Sequence, residues 1–386
     1  MKFLGYKRAD GSVGVRNYIA VIPTVGCANE VVSKIANQVD GVIPLLHHQG
    51  CCILPPDLKS VTRTLIGLGK NPNVAGVLIV SLGCEGVSIE EVEEGIAESK
   101  KPVESIVIQN AGGSVKAVAQ GIEIVEKMKK HASVLVREPV DISNLIVGVK
   151  CGVSDATSGI ASNPVVGEAM DMIIKNGGTV IFGETTEIMG AEHLLAKRAL
   201  NKSVSDRIYK IVANMEKRVK QVGVDMRGGQ PTPGNIKGGL TTIEEKSLGA
   251  VVKGGSTVIK GVLNYAEKPL GKGLYVMDSP GNEMYYLPGP AAAGAQIIVF
   301  TTGRGAPQGF PIVPVIKVCG NPKTCEHLSS HIDIDVSKII SDEETIHKAA
   351  ERVYDKIVKV ASGELTKAEE LGYNQTFDIY INGPII

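Results

Sequence analysis

The scarce reactive side chains of this 386-residue chain are its seven cysteines and seven histidines. Cys27, Cys51, Cys84 and Cys151 each follow a short apolar run rich in β-branched residues. Thiolate sulfur holds iron, zinc or an iron–sulfur cluster, so these four are candidate metal ligands. No CxxC spacing occurs, so the fold would have to gather the ligands from distant segments. A free cysteine is equally a small buried hydrophobe, and Cys52, Cys319 and Cys325 are read that way. His47 and His48 stand together after one apolar run. A histidine there can bind metal or act as a base near neutral pH. His193, in GAEHLL, is a second candidate base that could instead cap or pack. Lys237, among the glycines of TPGNIKGG, can act as a base if desolvated, with Asn235 beside it. Arg16 and Arg304 have the forked guanidinium that grips a carboxylate, although a surface salt bridge would use them equally well. Asn17, Gln109, Ser154 and Asp155 offer short polar contacts to a substrate. Glu184, Glu187, Glu192 and Asp278 are further acids able to relay protons or hold a hard cation, in positions that helix N-termini also favour.

The elements that must position these residues follow from periodicity. Strands are predicted at 18–23, 42–46, 74–82 and 103–109, with helices at 28–39, 58–68, 88–99 and 113–130 between them. Strands alternating with helices imply parallel crossovers and an α/β fold. The first unit, residues 1–140, suits a flavodoxin-like arrangement. The polar, proline-containing REPVDISN at 137–144 marks a boundary, and 141–386 is read as a second α/β unit with a mainly parallel sheet. It has predicted strands at 145–150, 179–182, 273–277 and 296–300. Residues 226–240 are too rich in glycine and proline for helix or strand. Cys27, the His47–Cys52 group, Cys84 with Glu85, and Gln109 all fall just past strand C-termini. That edge of an open α/β sheet is where ligands bind.

Composition narrows the partners. The 41 basic and 41 acidic residues cancel, so neither nucleic acid nor an anionic membrane is expected. Tryptophan is absent and aromatics are 4% of the chain, leaving few faces for stacking sugars. A small polar substrate fits better. The N-terminus lacks an apolar signal core and no run approaches the ~20 apolar residues of a membrane span. A cytoplasmic location, with reduced thiols, is the expectation. No GxGxxG, GxxxxGK[ST] or GxSxG motif sits where a nucleotide or a serine nucleophile would need it.

The segments GYKRADGSVGVRNYIAV, HHQGCC, LGCEG, IQNAGG, CGVSDATSGIASNP, GETTEIMGAEHLL, TPGNIKGGLTTIEEKSLGAVVKGG, MDSPG and FTTGRGAPQG occur in one order. Together they resemble the altronate/galactarate dehydratase family, which includes the large subunit of sulfolactate sulfo-lyase. The resemblance covers about residues 4–335. It departs at the family's HGTGCG, here His47-His-Gln-Gly-Cys51-Cys52, and at DIDVSKII near the C-terminus. It implies a metal-dependent lyase that removes the proton α to a carboxylate and expels a group from the next carbon. Water leaves a sugar acid such as altronate or galactarate to give a 2-keto-3-deoxy acid; alternatively sulfite leaves sulfolactate. It implies iron, as mononuclear Fe2+ or an iron–sulfur cluster, or another divalent metal. It also implies a separate small subunit in place of the family's extra N-terminal domain, within an oligomer. The expected roles are His47 or Lys237 as base, Arg16 or Arg304 as clamp, and the cysteine-lined rim as metal site. A non-catalytic sensor of the same fold is the reading from another class.

Overall fold

The computed structural model describes residues 1–375 and 377–385. The predicted alternation yields two parallel sheets. The first has four strands in the spatial order Val42–Pro44, Tyr18–Pro23, Val74–Ser81, Val103–Val107, and every pairing is parallel. In chain order this is 2-1-3-4, the flavodoxin-like arrangement without a fifth strand. The order reverses between Tyr18–Pro23 and Val74–Ser81, which makes their C-terminal ends a switch-point crevice. Val74–Ser81 is buried throughout, as a central parallel strand covered on both faces must be.

The second sheet has seven parallel strands in the order Ile259–Leu263, Gly273–Met277, Thr179–Phe182, Ile146–Gly152, Ile297–Thr302, Val315–Cys319 and Ile334–Asp335. Its order reverses beside Ile146–Gly152, so the end of that strand is also a crevice. Helix Asn163–Lys175 packs with helix Ile346–Ala361 over one face. The other face shares an apolar core with the first sheet, through Leu65 and Leu68 on one side and Leu287 and Ala291 on the other. The two sheets therefore form one packed body.

The polar boundary segment carries a strand: Glu138–Asp141 pairs antiparallel with Lys2–Lys7, which also pairs with Val13–Gly14. Two expectations change. The 226–240 stretch holds two short helices, Met226–Gly229 and Pro233–Lys237, the second closed by a Thr232/Asn235 capping box with proline in its first turn. The strand predicted to end at Lys150 runs on through Cys151 to Gly152. Among the described residues no helix is long and apolar enough to cross a membrane.

Candidate active site

Strand Ile146–Gly152 delivers a lysine and a cysteine to the crevice. Lys150 is fully buried and its ammonium pairs with the Glu184 carboxylate. It also donates to the Gly281 carbonyl at 2.9 Å and lies 5.5 Å over the Phe300 ring. Glu184 follows strand Thr179–Phe182 in a left-handed backbone conformation, φ 68. That geometry costs an L-residue about 1–2 kcal/mol; strain of this kind collects at functional sites. It is held by the Ser279 hydroxyl, which accepts from the Glu184 N–H at 3.0 Å, while Glu184 accepts from the Cys151 N–H at 3.1 Å. Val153, β-branched with φ 50, is a second strained residue on the same wall.

Lys253 enters from the 3-10 turn Val252–Gly254 and is 1% exposed. Its Nζ stands 2.9 Å from Glu184, 3.6 Å from Glu187 and 3.2 Å from the Cys151 sulfur. Glu187 accepts from the Cys151 thiol at 2.6 Å and lies 3.3 Å from Lys246. Burial would raise the Glu187 carboxyl, but Lys246, Lys253 and Lys150 overcome it and pull it down to about 2. Burial would deprotonate Lys253; the carboxylates of Glu184 and Glu187 reverse that and hold it charged. Burial pushes the Cys151 thiol up and the two glutamates add to the shift, so it stays protonated. The cluster is thus two carboxylates locked among three ammonium groups.

Lys150, Cys151, Glu187, Lys246 and Glu283 line a cavity of about 560 Å³. Gly152 is needed on its wall, because an added Cβ would strike Glu283 and Phe300. Cys151, Glu184 and Glu187 offer ligand atoms within 4.8 Å of one another. A metal ion does not fit them. Each ligand already faces an ammonium, and a further unit charge at 4 Å is repelled by about 4 kcal/mol per pair at an effective dielectric of 20.

The sequence candidates divide sharply. Cys151, Glu187, Ser154 and Asn235 reach the cavity. Asn235 donates to the Ser154 carbonyl at 2.9 Å, so it shapes the wall. Asp155 is spent on Thr157 and Asn321. Exposed Arg304 bonds the Gly234 carbonyl at 3.1 Å, bridging to the loop that carries Asn235. Lys237 and His193 are exposed and outside the cavity lining; on helices of five residues they point to solvent, which corrects their expected roles as bases. Arg16 is also corrected. It is buried and bidentate to the chain's own Glu369 at 2.8 and 2.9 Å, so it clamps the C-terminal region and not a substrate. Asn17 bonds Arg8 and the Ala132 carbonyl.

His47 is buried with both ring nitrogens engaged. Nε2 donates to the Pro23 carbonyl at 2.7 Å and Nδ1 accepts from the Gln49 N–H at 3.2 Å. It joins two strand ends and has no lone pair left for a proton from substrate, which corrects its role as base. Burial holds it down to about 4. Below pH 6.5 the unfolded chain therefore takes up a proton that the folded chain refuses. Stability should fall by up to about 3 kcal/mol between pH 6.5 and 4. Urea midpoints across that range check this, and His47→Asn should flatten the slope.

Cys27, Cys51 and Cys84 do not join Cys151; they are exposed on the first sheet's edge, with exposed Gln109 on the next loop. The edge and the cavity are close, however. Asp378 in the C-terminal segment accepts from the His48 ring at 2.6 Å, and its N–H donates to the Met284 carbonyl beside the Asn282–Glu283 lip. Lys246 and Lys253 were missed in the sequence because a lysine in a helix normally signals solvent. Lys150, at the end of an otherwise apolar strand, carried the one readable signal.

Comparison with known proteins identifies the family. Residues 142–384 match the family described as D-galactarate/Altronate dehydratase, C-terminal, and residues 5–133 match D-galactarate dehydratase/Altronate hydrolase, second domain. The chain is 40% identical to the (2R)-sulfolactate sulfo-lyase subunit beta of Chromohalobacter salexigens, covering 97% of this chain and 96% of that one. It is 32% identical to the altronate dehydratase of Bacillus subtilis, over 97% of this chain and 76% of the relative. It is 33% identical to the galactarate dehydratase (L-threo-forming) of Escherichia coli, over 99% of this chain and 77% of the relative. With both sheets matched along nearly their whole length, the chain belongs to the galactarate/altronate dehydratase family of lyases.

Proposed function

We propose that this chain performs β-elimination on a small anionic hydroxy acid. The observation that carries the reading is Glu187, set between ammonium groups on the wall of the 560 Å³ cavity. The substrate carboxylate meets Lys246, the most accessible of the lysines at 13% side-chain exposure. Glu187 takes the proton α to that carboxylate. The C–H electron pair becomes the carbon–carbon double bond, and the leaving group departs with its own pair. Negative charge develops beside Lys150 and Lys246, which stand in place before the reaction and need no reorganisation. Approach of an anion also raises the Glu187 carboxyl from its low resting value, making it a better base as the substrate binds.

Loss of water from a sugar acid such as altronate or galactarate is the first reading, in keeping with the dehydratase relatives. Release of sulfite from sulfolactate is the second, favoured by the 40% identity to the sulfo-lyase subunit. That relative's name as a subunit beta supports a separate small partner for this chain. Seven free cysteines support a cytoplasmic setting. An anaerobic assay with ferrous iron and the co-expressed small subunit tests the proposal. Altronate, galactarate and sulfolactate are compared, with 2-keto acid and sulfite measured separately. We expect turnover of one of them; turnover of none removes the lyase reading and leaves the non-catalytic sensor.

A further inference from the structure

Cys51 and Cys52 are neighbours in the chain, both exposed, with their sulfurs 3.6 Å apart. Exposure is unusual for either, since cysteine is among the most buried residue types. Cys52 stands in the left-handed region at φ 54, where a side chain bears a cost that glycine does not. It is also where the chain departs from the closing glycine of the HGTGCG pattern. The chain thus accepts backbone strain and keeps a second thiol beside the first.

Both flanks of the pair are fixed. On one side the Gly86 N–H donates to the Gly50 carbonyl at 3.0 Å, and Gly50 lies so close to Thr24 and Val25 that no side chain could enter. On the other side Ile53 forms an antiparallel bridge with Ile385. The Asp57 carboxylate accepts from the N–H groups of Asn382 and Gly383 at 2.8 and 2.7 Å. Little freedom is left between these anchors. Two groups held together in this way react as one unit, with the entropy of their encounter already lost.

We propose that Cys51 and Cys52 are a redox-active dithiol that closes to a disulfide between neighbouring residues, with a low-molecular-weight disulfide such as oxidised glutathione as the oxidant. One cysteine, as thiolate, attacks a sulfur of the oxidant. The oxidant's S–S bond breaks, one glutathione leaves as thiolate, and a mixed disulfide forms. The second cysteine, as thiolate, attacks the protein sulfur of that mixed disulfide and expels the other glutathione. Two electrons pass from the pair to the oxidant, and the two thiol protons end on the released glutathiones. Adjacent Cα atoms stand about 3.8 Å apart, inside the ~4.4 Å at which disulfide geometry usually begins. A bond formed there is strained and readily reduced, which suits a reversible switch and not a structural bridge.

The test uses the full chain, reduced, desalted anaerobically and exposed to oxidised glutathione, then blocked with iodoacetamide and digested with trypsin. Residues 35–59 form one tryptic peptide that holds Cys51, Cys52 and no other cysteine. In the wild type we expect that peptide two hydrogens lighter than its reduced form and free of alkyl groups, and alkylated on both cysteines after dithiothreitol. Cys27→Ser and Cys84→Ser should behave as the wild type. Cys51→Ser, Cys52→Ser and Cys52→Gly should stop at the first step, with glutathione retained on the remaining cysteine. Cys52→Gly suits the left-handed backbone and so separates loss of the thiol from a misfolded loop. A wild-type peptide still alkylated on both cysteines after oxidation, glutathione retained on the wild-type pair, or a bond from Cys51 to Cys27 or Cys84 overturns the proposal. The readout is covalent mass, so it stands or falls separately from the lyase reading.

Discussion

Glu184→Leu should lower folding stability by about 3–5 kcal/mol, the usual cost of removing one partner from a buried ion pair. Glu184 has no exposed side-chain surface and faces both Lys150 and Lys253, neither more than 1% exposed. Without it, two ammonium groups remain in an apolar crevice, with Glu187, the more distant Glu283 at 4.0 Å from Lys150, and backbone carbonyls to answer them. Equilibrium urea unfolding near pH 7 measures the loss. The sign with pH is a second check. In the wild type Lys253 is held above its ordinary value of 10.5 by the carboxylates of Glu184 and Glu187 against burial. Its contribution is fully present below that value and is lost only as pH rises through the higher folded one. In Glu184→Gln burial prevails, the lysines release protons at lower pH, and the deficit relative to wild type should shrink as pH rises. A deficit that is small near neutrality, or that grows with pH, would show that the lysines are not charged in the folded protein.

Glu187→Gln should reduce kcat by about 10²–10⁴-fold, the range expected for loss of a general base, with little change in KM. The amide keeps the shape and the hydrogen-bonding reach toward Cys151 and Lys246 while losing the basic oxygen. Exchange of the substrate α-proton in deuterium oxide, followed by NMR, isolates the step: it should disappear in Glu187→Gln. Lys246→Met should act differently, with kcat/KM down by about 10²–10³-fold, because it removes a charge placed where the enolate forms. Wild-type rates of α-proton exchange in Glu187→Gln would move the base elsewhere, and Glu283, on the same cavity wall, is the next carboxylate to replace.

What could be read before folding was set by periodicity and residue type. Alternating apolar runs and amphipathic helices require parallel crossovers, and parallel crossovers require ligands at the strand C-termini. The α/β class, the rim loops of Cys27, Cys51 and Cys84, and the crevice position of Cys151 and Glu187 follow from that local pattern alone. Roles did not follow, because a role depends on what lies across space. Arg16 and His47 are the residue types a hydroxy-acid lyase would want, yet the folded chain supplies Arg16 with Glu369 and His47 with the Pro23 carbonyl and the Gln49 amide. Lys253 has the residue type of a solvated surface, yet it is buried against groups more than 60 positions away in the chain. Cys151 parts from the other three cysteines for the same reason: sequence places all four at strand ends, but on two different sheets. Strand ends are a property of local sequence, whereas charge pairing in a low-dielectric crevice arises only when distant segments exclude water together.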